Sequence, residues 1–358
     1  MKRNRLISLL LVIMIIGLSL AGCTTPAQDS PEAPLPEAES PEVQAPEASG
    51  DSPITVTDQG GNVVTLDQPA SRVVTTFYGQ TYAMIALGLE DRLVAMETGA
   101  DKRPIYSLAA PELMELPNVG SMKEFNVEAA IAAEPDLMLL PKRLQEHADA
   151  FAAVGIPVAI CHPESQELLE EMLTMIATLC GQPEQADKLI DYYDETYDKV
   201  SEIIAPLSEQ PTVYLAGNSD YLSVAPDSMY QASLIARAGG RNAASGIEGD
   251  YWVDVSYEQL LSLDPEVIIL PSEASYPPED ILNDPQLAEL RAVQNKRVYA
   301  MPSAFEAWDS PVPSGVLGTL WLLAKIHPDQ YSIDQMRDDA AEFYREFYDF
   351  DIDPSQIN

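Results

Sequence analysis

The chain has 358 residues, 46% hydrophobic and 7% aromatic, enough to bury a sizeable core and, by length, to form two domains. Asp and Glu number 57 against 20 Lys and Arg, a formal net charge of −37. A field of that sign repels phosphate and excludes nucleic acid as a partner. Three cysteines without a CxxC pair and three histidines without zinc spacing exclude a disulfide scaffold and a structural zinc site.

The amino terminus carries Lys2, Arg3 and Arg5, then an apolar run from Leu6 to Ala21, a signal-peptide layout too short to be a convincing membrane span. It ends in Leu20, Ala21, Gly22, Cys23, which resembles the bacterial lipobox, so Cys23 is the expected lipidation site. Cleavage before Cys23 would leave 17 bases against 57 acids, a net charge of −40. Residues 24–52 hold Pro26, Pro31, Pro34, Pro36, Pro41 and Pro46 with seven acids and no base. Such a stretch cannot bury apolar surface, and reads as a self-repelling tether with a reach on the order of 90 Å when extended.

Folded sequence opens with ITVTDQGGNVVTL, two alternating runs about Gly60 and Gly61 that predict a β-hairpin. The strands RVVTT, RLVAM, DLMLL and PVAI then alternate with helices near Tyr82–Leu87, Val127–Ala133 and Leu144–Val154. A second series has the strands TVYLA, EVIIL and RVYAM and the helices Ser228–Ala238 and Tyr257–Leu263. This is α/β organisation with buried strands. Between the series, Pro183–Pro206 carries apolar positions at helical spacing and predicts one rigid connecting helix about 35 Å long. The expected segments are a signal peptide (1–22), the lipidated tether (23–52), an N-terminal α/β lobe (53–182), the connecting helix (183–210), a C-terminal α/β lobe (211–331) and a C-terminal helix and tail (332–358).

An internal repeat supports two lobes. VEAAIAAEPDLMLLP (127–141) matches YEQLLSLDPEVIILP (257–271) at a constant offset of 130, aligning Glu128 with Glu258, Pro135 with Pro265 and Pro141 with Pro271. Each copy is a short helix, capped by Asn126 or Ser256 and stopped before a proline, then a buried strand. Two such units imply similar Rossmann-like lobes with a ligand cleft between them.

Taken in order, the lipobox, the hairpin, the paired units, ALGLEDRLVA, ARAGGRN, the connecting helix and FYREFY resemble the iron-complex and cobalamin substrate-binding proteins of bacterial ABC importers. That resemblance covers the chain beyond the tether. It implies a monomer with no intrinsic cofactor, anchored by lipid on the outer face of the cell membrane, on the periplasmic side if the host has an outer membrane. The implied partners are a permease dimer with its ATPase, and the implied cargo is an iron complex, foremost a ferric siderophore. It also gives Glu128 and Glu258 the role of docking against permease arginines. Read alone, each glutamate favours the positive end of its helix.

Ligand contacts are expected in loops leaving the carboxyl ends of strands. In the first lobe these supply Tyr78, Gln80, Lys102, Arg103, Lys123, Lys142, Arg143 and His162. Five of the seven bases in residues 53–182 fall in such loops, against 18 acids in the same segment, which suggests a basic rim on an acidic body. Second-lobe loops offer Asn218, Tyr221, Tyr251, Trp252, Glu273, Tyr276, Phe305, Glu306 and Trp308, aromatics suited to stacking a flat ligand. Trp321, within GVLGTLWLLAKI, reads as core. His147 reads as solvated and His327 as a helix end. Direct iron coordination would need His162 with tyrosines such as Tyr78 or Tyr276. Cys161 and Cys180 flank a helix that holds them about 20 Å apart, too far for a disulfide.

A basic rim suits catecholate or carboxylate siderophores, haem propionates, and oxyanions such as molybdate or tungstate, while the aromatics suit cobalamin. A surface enzyme is the reading from another class, but the chain has no GxSxG, HExxH, P-loop or SxxK string. The lipobox reading predicts that Cys23→Ser shifts the protein from the membrane to the soluble fraction. A variant still bound to membranes after signal cleavage would count against it.

Overall fold

A computed structural model describes residues 53–358. The expected signal peptide, Cys23 and the tether lie outside the described residues. Strands β1 (Ile54–Thr57) and β2 (Val63–Leu66) form the antiparallel hairpin. Asp58 ties its turn to the body, accepting from the backbone N–H groups of Gly60, Asn62 and Ile160.

The first lobe is built on β3 (Val73–Val74), β4 (Leu93–Ala95), β5 (Leu137–Pro141) and β6 (Val158–Cys161), parallel in the order β4-β3-β5-β6. Its helices are α1 (Tyr78–Ala86), α2 (Pro104–Ala109), α3 (Val127–Ala132), α4 (Ala148–Ala152) and α5 (Gln166–Leu179). The connecting helix α6 runs Pro183–Ile204. Strands β7 (Thr212–Leu215), β8 (Ser223–Val224), β9 (Arg241–Asn242), β10 (Val253–Asp254), β11 (Val267–Leu270) and β12 (Val298–Ala300) follow. Four of them make the second parallel sheet, β9-β7-β11-β12, and β8 pairs antiparallel with β10. The second lobe's helices are α7 (Tyr230–Arg237), α8 (Tyr257–Leu263), α9 (Pro278–Leu282), α10 (Arg291–Gln294) and α11 (Gly315–Ile326); α12 (Ile333–Tyr348) closes the chain against α11 and α1. In both sheets the second strand formed in sequence lies at one edge and the first beside it, so the two lobes repeat one topology.

The repeat has a local physical basis. The Asn126 side chain accepts from the Ala129 N–H, and Ser256 with Gln259 forms a capping box, so α3 and α8 start alike. Both units then turn through a left-handed acid, Glu134 (φ 49°) or Asp264 (φ 39°), immediately before the proline. An arginine clasps each turn: Arg72 donates to the Ala133 and Glu134 carbonyls, and Arg291 to the Asp264 carbonyl and carboxylate. A cation at the negative helix end offsets the cost of the unusual φ. The helix expected over Leu144–Val154 is divided, its first part being a 3₁₀ segment, Lys142–His147, that runs into α4.

Alternation along the strands divides the core. Val73, Leu137, Leu139 and Cys161 of the first sheet, and Val213, Leu215, Val267 and Ile269 of the second, join one apolar cluster that includes α5, α6, α11 and α12. The intervening residues face outward to separate clusters: Val74, Met138, Leu140 and Ile160 in the first lobe, and Tyr214, Ile268 and Leu270 in the second. The lobes therefore share an interior. Trp321 lies wholly within it.

Three residues expected in the cleft also lie inside. Trp308 is fully buried and donates its indole N–H to the Tyr344 hydroxyl at 2.9 Å, and Phe305 packs on Tyr344 and Phe350. Glu306 is 3% exposed and accepts from Tyr348 at 2.9 Å. Burial pushes its carboxyl from 4.5 up to about 7, and the hydroxyls around it offset only part of that. Below about pH 4.5 the acid is protonated folded or unfolded. Between there and about pH 7 only the folded chain keeps the proton, so stability falls as pH rises through that window, by on the order of 3 kcal/mol. Glu306→Gln, which mimics the protonated acid, is expected to match the parent in urea unfolding at pH 4.5 and exceed it at pH 8. An equal difference at both pH values would show that the buried carboxyl is not responsible.

Candidate functional site

The carboxyl ends of β3, β5 and β6 open on a cleft of about 520 Å³. The chain leaving β3 supplies Phe77, Tyr78 and Gln80; that leaving β5 supplies Lys142 and Arg143; that leaving β6 supplies Cys161, His162 and Glu164. Met122 adds to the same wall. Across from them stand Tyr251 and the segment Ser310–Val312.

That opposing segment is held from behind. Tyr193 of α6, fully buried, donates its hydroxyl to the Pro313 carbonyl at 2.7 Å. Gln231 of α7 donates to the Asp309 carbonyl at 2.8 Å, and the Asp309 carboxylate accepts from the Ser272 N–H at 2.9 Å. Net hydrogen bonds of this kind contribute about 1 kcal/mol each, but leaving the buried carbonyls unpaired would cost more.

Each lining group has a defined chemistry. The Lys142 and Arg143 side chains are exposed, and among the described residues neither is in an ion pair. Gln80 is 1% exposed; its Oε1 accepts from the Thr76 N–H at 3.2 Å, and its Nε2 has no protein partner among the described residues. That amide is a donor available to an acceptor in the cleft. Burial, then the Glu273 carboxylate, push the Tyr78 phenol up, which keeps it a neutral donor. Cys161 is pushed up to about 12 by burial and stays a thiol. His162 Nδ1 lies 3.4 Å from Glu164 Oε1. The cleft thus offers two cations at its rim, neutral donors at its floor and aromatic walls, a set suited to a bulky anionic solute.

The remaining candidates are elsewhere. Lys102 and Arg103 border a separate crevice of about 40 Å³ together with Glu273, Phe305 and Glu306. Arg103 lies 3.8 Å from the Tyr78 ring, donates to the Tyr82 hydroxyl at 3.2 Å and pairs with Glu273 at 3.8 Å, so it braces Tyr78 from behind and bridges the lobes. Lys123 is exposed beside Met122. Tyr221 donates to Asp284 at 2.9 Å, Tyr276 donates to the Gly217 carbonyl at 2.7 Å, and the backbone carbonyl of Asn218 accepts from the Ser275 N–H, which ties all three into the second lobe. Trp252 is half-buried against the shared core while its neighbour Tyr251 reaches the cleft. Tyr276 is therefore not beside His162 and Tyr78, and among the described residues no group of three or more His, Cys, Asp or Glu could hold a metal ion. His147 lies edge-on to Phe125, 5.3 Å between centroids, rather than simply facing solvent. Both Cys161 and Cys180 are free thiols.

Glu128 and Glu258 sit in the first turns of α3 and α8, exposed and outside the cleft lining. Glu258 is held below the usual carboxylate range by its own backbone N–H and the Ser256 hydroxyl.

Comparison with known proteins agrees with this architecture. The profile of the periplasmic binding protein family matches residues 73–305. The chain belongs to that family. Its members are solute-binding transport components. The chain is 25% identical over 320 residues to the molybdate-binding protein MolA of Haemophilus influenzae, covering 82% of this chain and 90% of the relative. It is 27% identical over 205 residues to the vitamin B12-binding protein of Yersinia pestis, covering 57% and 70%. Among solved structures, a periplasmic solute-binding protein of Veillonella parvula superposes with a TM-score of 0.74 at 25% identity, covering 85% of this chain and 95% of that one. The family carries no intrinsic cofactor; what it binds is the transported solute.

Proposed function

We propose that this protein is a lipid-anchored extracytoplasmic binding protein, not an enzyme, that captures a metal complex bearing anionic groups and delivers it to an ABC importer. The observation that carries this reading is the 520 Å³ interlobe cleft with Lys142 and Arg143 at its rim, on a chain whose net charge is −37. A cavity of that size accommodates a drug-sized solute. A single tetrahedral oxyanion, at roughly four waters' worth of volume or about 120 Å³, would leave most of it empty. A ferric siderophore with catecholate or carboxylate groups is the cargo that best uses both the volume and the charge. A second reading, molybdate or tungstate, is favoured by the relative that is named for molybdate and aligns over 90% of its length.

The segment boundaries at residues 22, 52, 182, 210 and 331, action as a monomer, and transport through a permease dimer with its ATPase belong to this proposal. So does the tether, which would leave the cleft free of the membrane to which Cys23 anchors it. Among the described residues no helix is long and apolar enough to cross a membrane.

Absorbance and native mass spectrometry of protein purified from its host test the cargo. A bound ferric chelate supports the reading, and a bare tetraoxo anion or a corrinoid overturns it. Lys142→Ala with Arg143→Ala is expected to weaken the cargo found there by a few kcal/mol, the loss of two charge-assisted hydrogen bonds. Unchanged titration affinity would move the site elsewhere.

Glu128 and Glu258 are proposed to dock against permease arginines. Both are exposed in equivalent first turns and neither lines the cleft. Replacing both with Ala is expected to leave solute affinity intact while uptake into vesicles containing the permease falls sharply. Uptake at the parental rate would leave only their local role at the helix ends.

A further inference from the structure

We propose that Arg143 and Tyr251 form a gate across the cleft that sets which solutes reach its floor, an inference that rests on the cleft being the solute site. The pair brings together two lobes: Arg143 follows β5 of the first, and Tyr251 precedes β10 of the second. The guanidinium carbon lies 5.5 Å from the centre of the Tyr251 ring. Both residues line the cleft and both are exposed, Tyr251 to 59%, which puts the contact at the rim rather than the floor. The floor residues Gln80 and Cys161, by contrast, are at most 2% exposed.

A large exposed aromatic has little reason to hold one position unless something fixes it. The loop from β9 to β10 is fixed at its base and not at Tyr251. Ser228 donates to the Gly249 carbonyl, and Gly249 packs so closely on Val253 that a Cβ there would lie 2.4 Å from Cγ2. Gly246 upstream is in the left-handed region at φ 89°. Tyr251 thus stands between two anchored points and projects over the cleft, steadied, among the described residues, by its cation–π contact with Arg143. Another cross-lobe cation is bound differently: Arg103 has an ion pair, a hydrogen bond and a stacked ring, and is only 23% exposed. The Arg103 bridge is a latch, whereas the Arg143 bridge opens at little cost. An anionic solute would draw Arg143 from the ring, since a charge-assisted hydrogen bond outweighs an exposed cation–π contact, and so would release the gate as it enters. Closed, the pair restricts the cleft to solutes that can displace it or pass beneath it.

Cys161 provides a reporter that needs no solute, because it lies on the floor behind the gate. In the mature chain carrying Cys23→Ser, Cys161 and Cys180 are the remaining thiols. Their labelling by 4,4′-dithiodipyridine, in which the thiolate displaces one thiopyridone to form a mixed disulfide, would be followed site by site by peptide mass spectrometry at fixed pH. Tyr251→Ala and Arg143→Met should each speed labelling of Cys161, by at least the roughly two- to fivefold that one exposed cation–π contact carries. Labelling of Cys180, buried away from the cleft, should not change, and Tyr251→Trp should restore the slow parental rate at Cys161. Unchanged Cys161 labelling in both opening variants would overturn the gate, as would equal acceleration at both thiols, which reports general loosening. The outcome is independent of cargo identity, so a wrong cargo class and an absent gate are told apart.

Discussion

The site depends on one constraint, the continuous apolar interior beneath both lobes. Each parallel sheet gives one set of alternating side chains to its own outer cluster and the other to the common core, where α5, α6, α11 and α12 lie. Opening the lobes widely would divide this common core and expose part of its apolar surface to water. At about 25 cal/mol per Å² of apolar surface, this opposes wide separation of the lobes. The walls of the cleft are therefore set by the core, and adjustment is left to side chains and loops at the rim.

Polar groups inside that core have a positional role. Tyr193, Gln231 and Asp309 form no part of the cleft surface, yet they fix the loop that brings Ser310, Pro311 and Val312 to it. Asp309 is buried, and burial raises its carboxyl from the ordinary value, so its bond to the Ser272 N–H connects two second-lobe loops at some cost in desolvation. Such groups are tolerated in an interior when their hydrogen bonds are satisfied, and they specify one arrangement where apolar packing would accept several.

Much of the fold was legible because it rests on local periodicity. The helix Tyr257–Leu263 and the strand runs around VIIL and LMLL follow from uninterrupted apolar runs, caps and prolines, and the 130-residue offset exposes the shared topology. The site was legible in part. Tyr78, Gln80, Lys142, Arg143 and His162 meet at one cleft because each lies on the chain leaving the carboxyl end of a strand of the first sheet. Second-lobe candidates diverged from the structure because irregular backbone has no period from which to read burial. Residues 301–314 have no regular secondary structure but lie mostly inside, so Phe305, Glu306 and Trp308 look like loop residues in sequence and are core in space. Tyr251 and Trp252 are both candidates in the sequence, but Tyr251 lines the cleft while Trp252 packs against the core: adjacent aromatics have different surroundings, and nothing local says which is which. Ser310–Val312 had a usable signal, the turn-rich string DSPVPSG directly after the buried aromatics.

The left-handed acids before Pro135 and Pro265, each clasped by an arginine, mark where a duplicated unit has been kept intact in both halves. The shared core bears on how such a duplication can exist at all. Cut through α6, either half would keep a finished outer cluster and bare its other sheet face and the helices lying on it. The repeating unit is thus a hemisphere rather than a module. Because α6 joins the two halves in one chain, each half always has the other in register to cover that face.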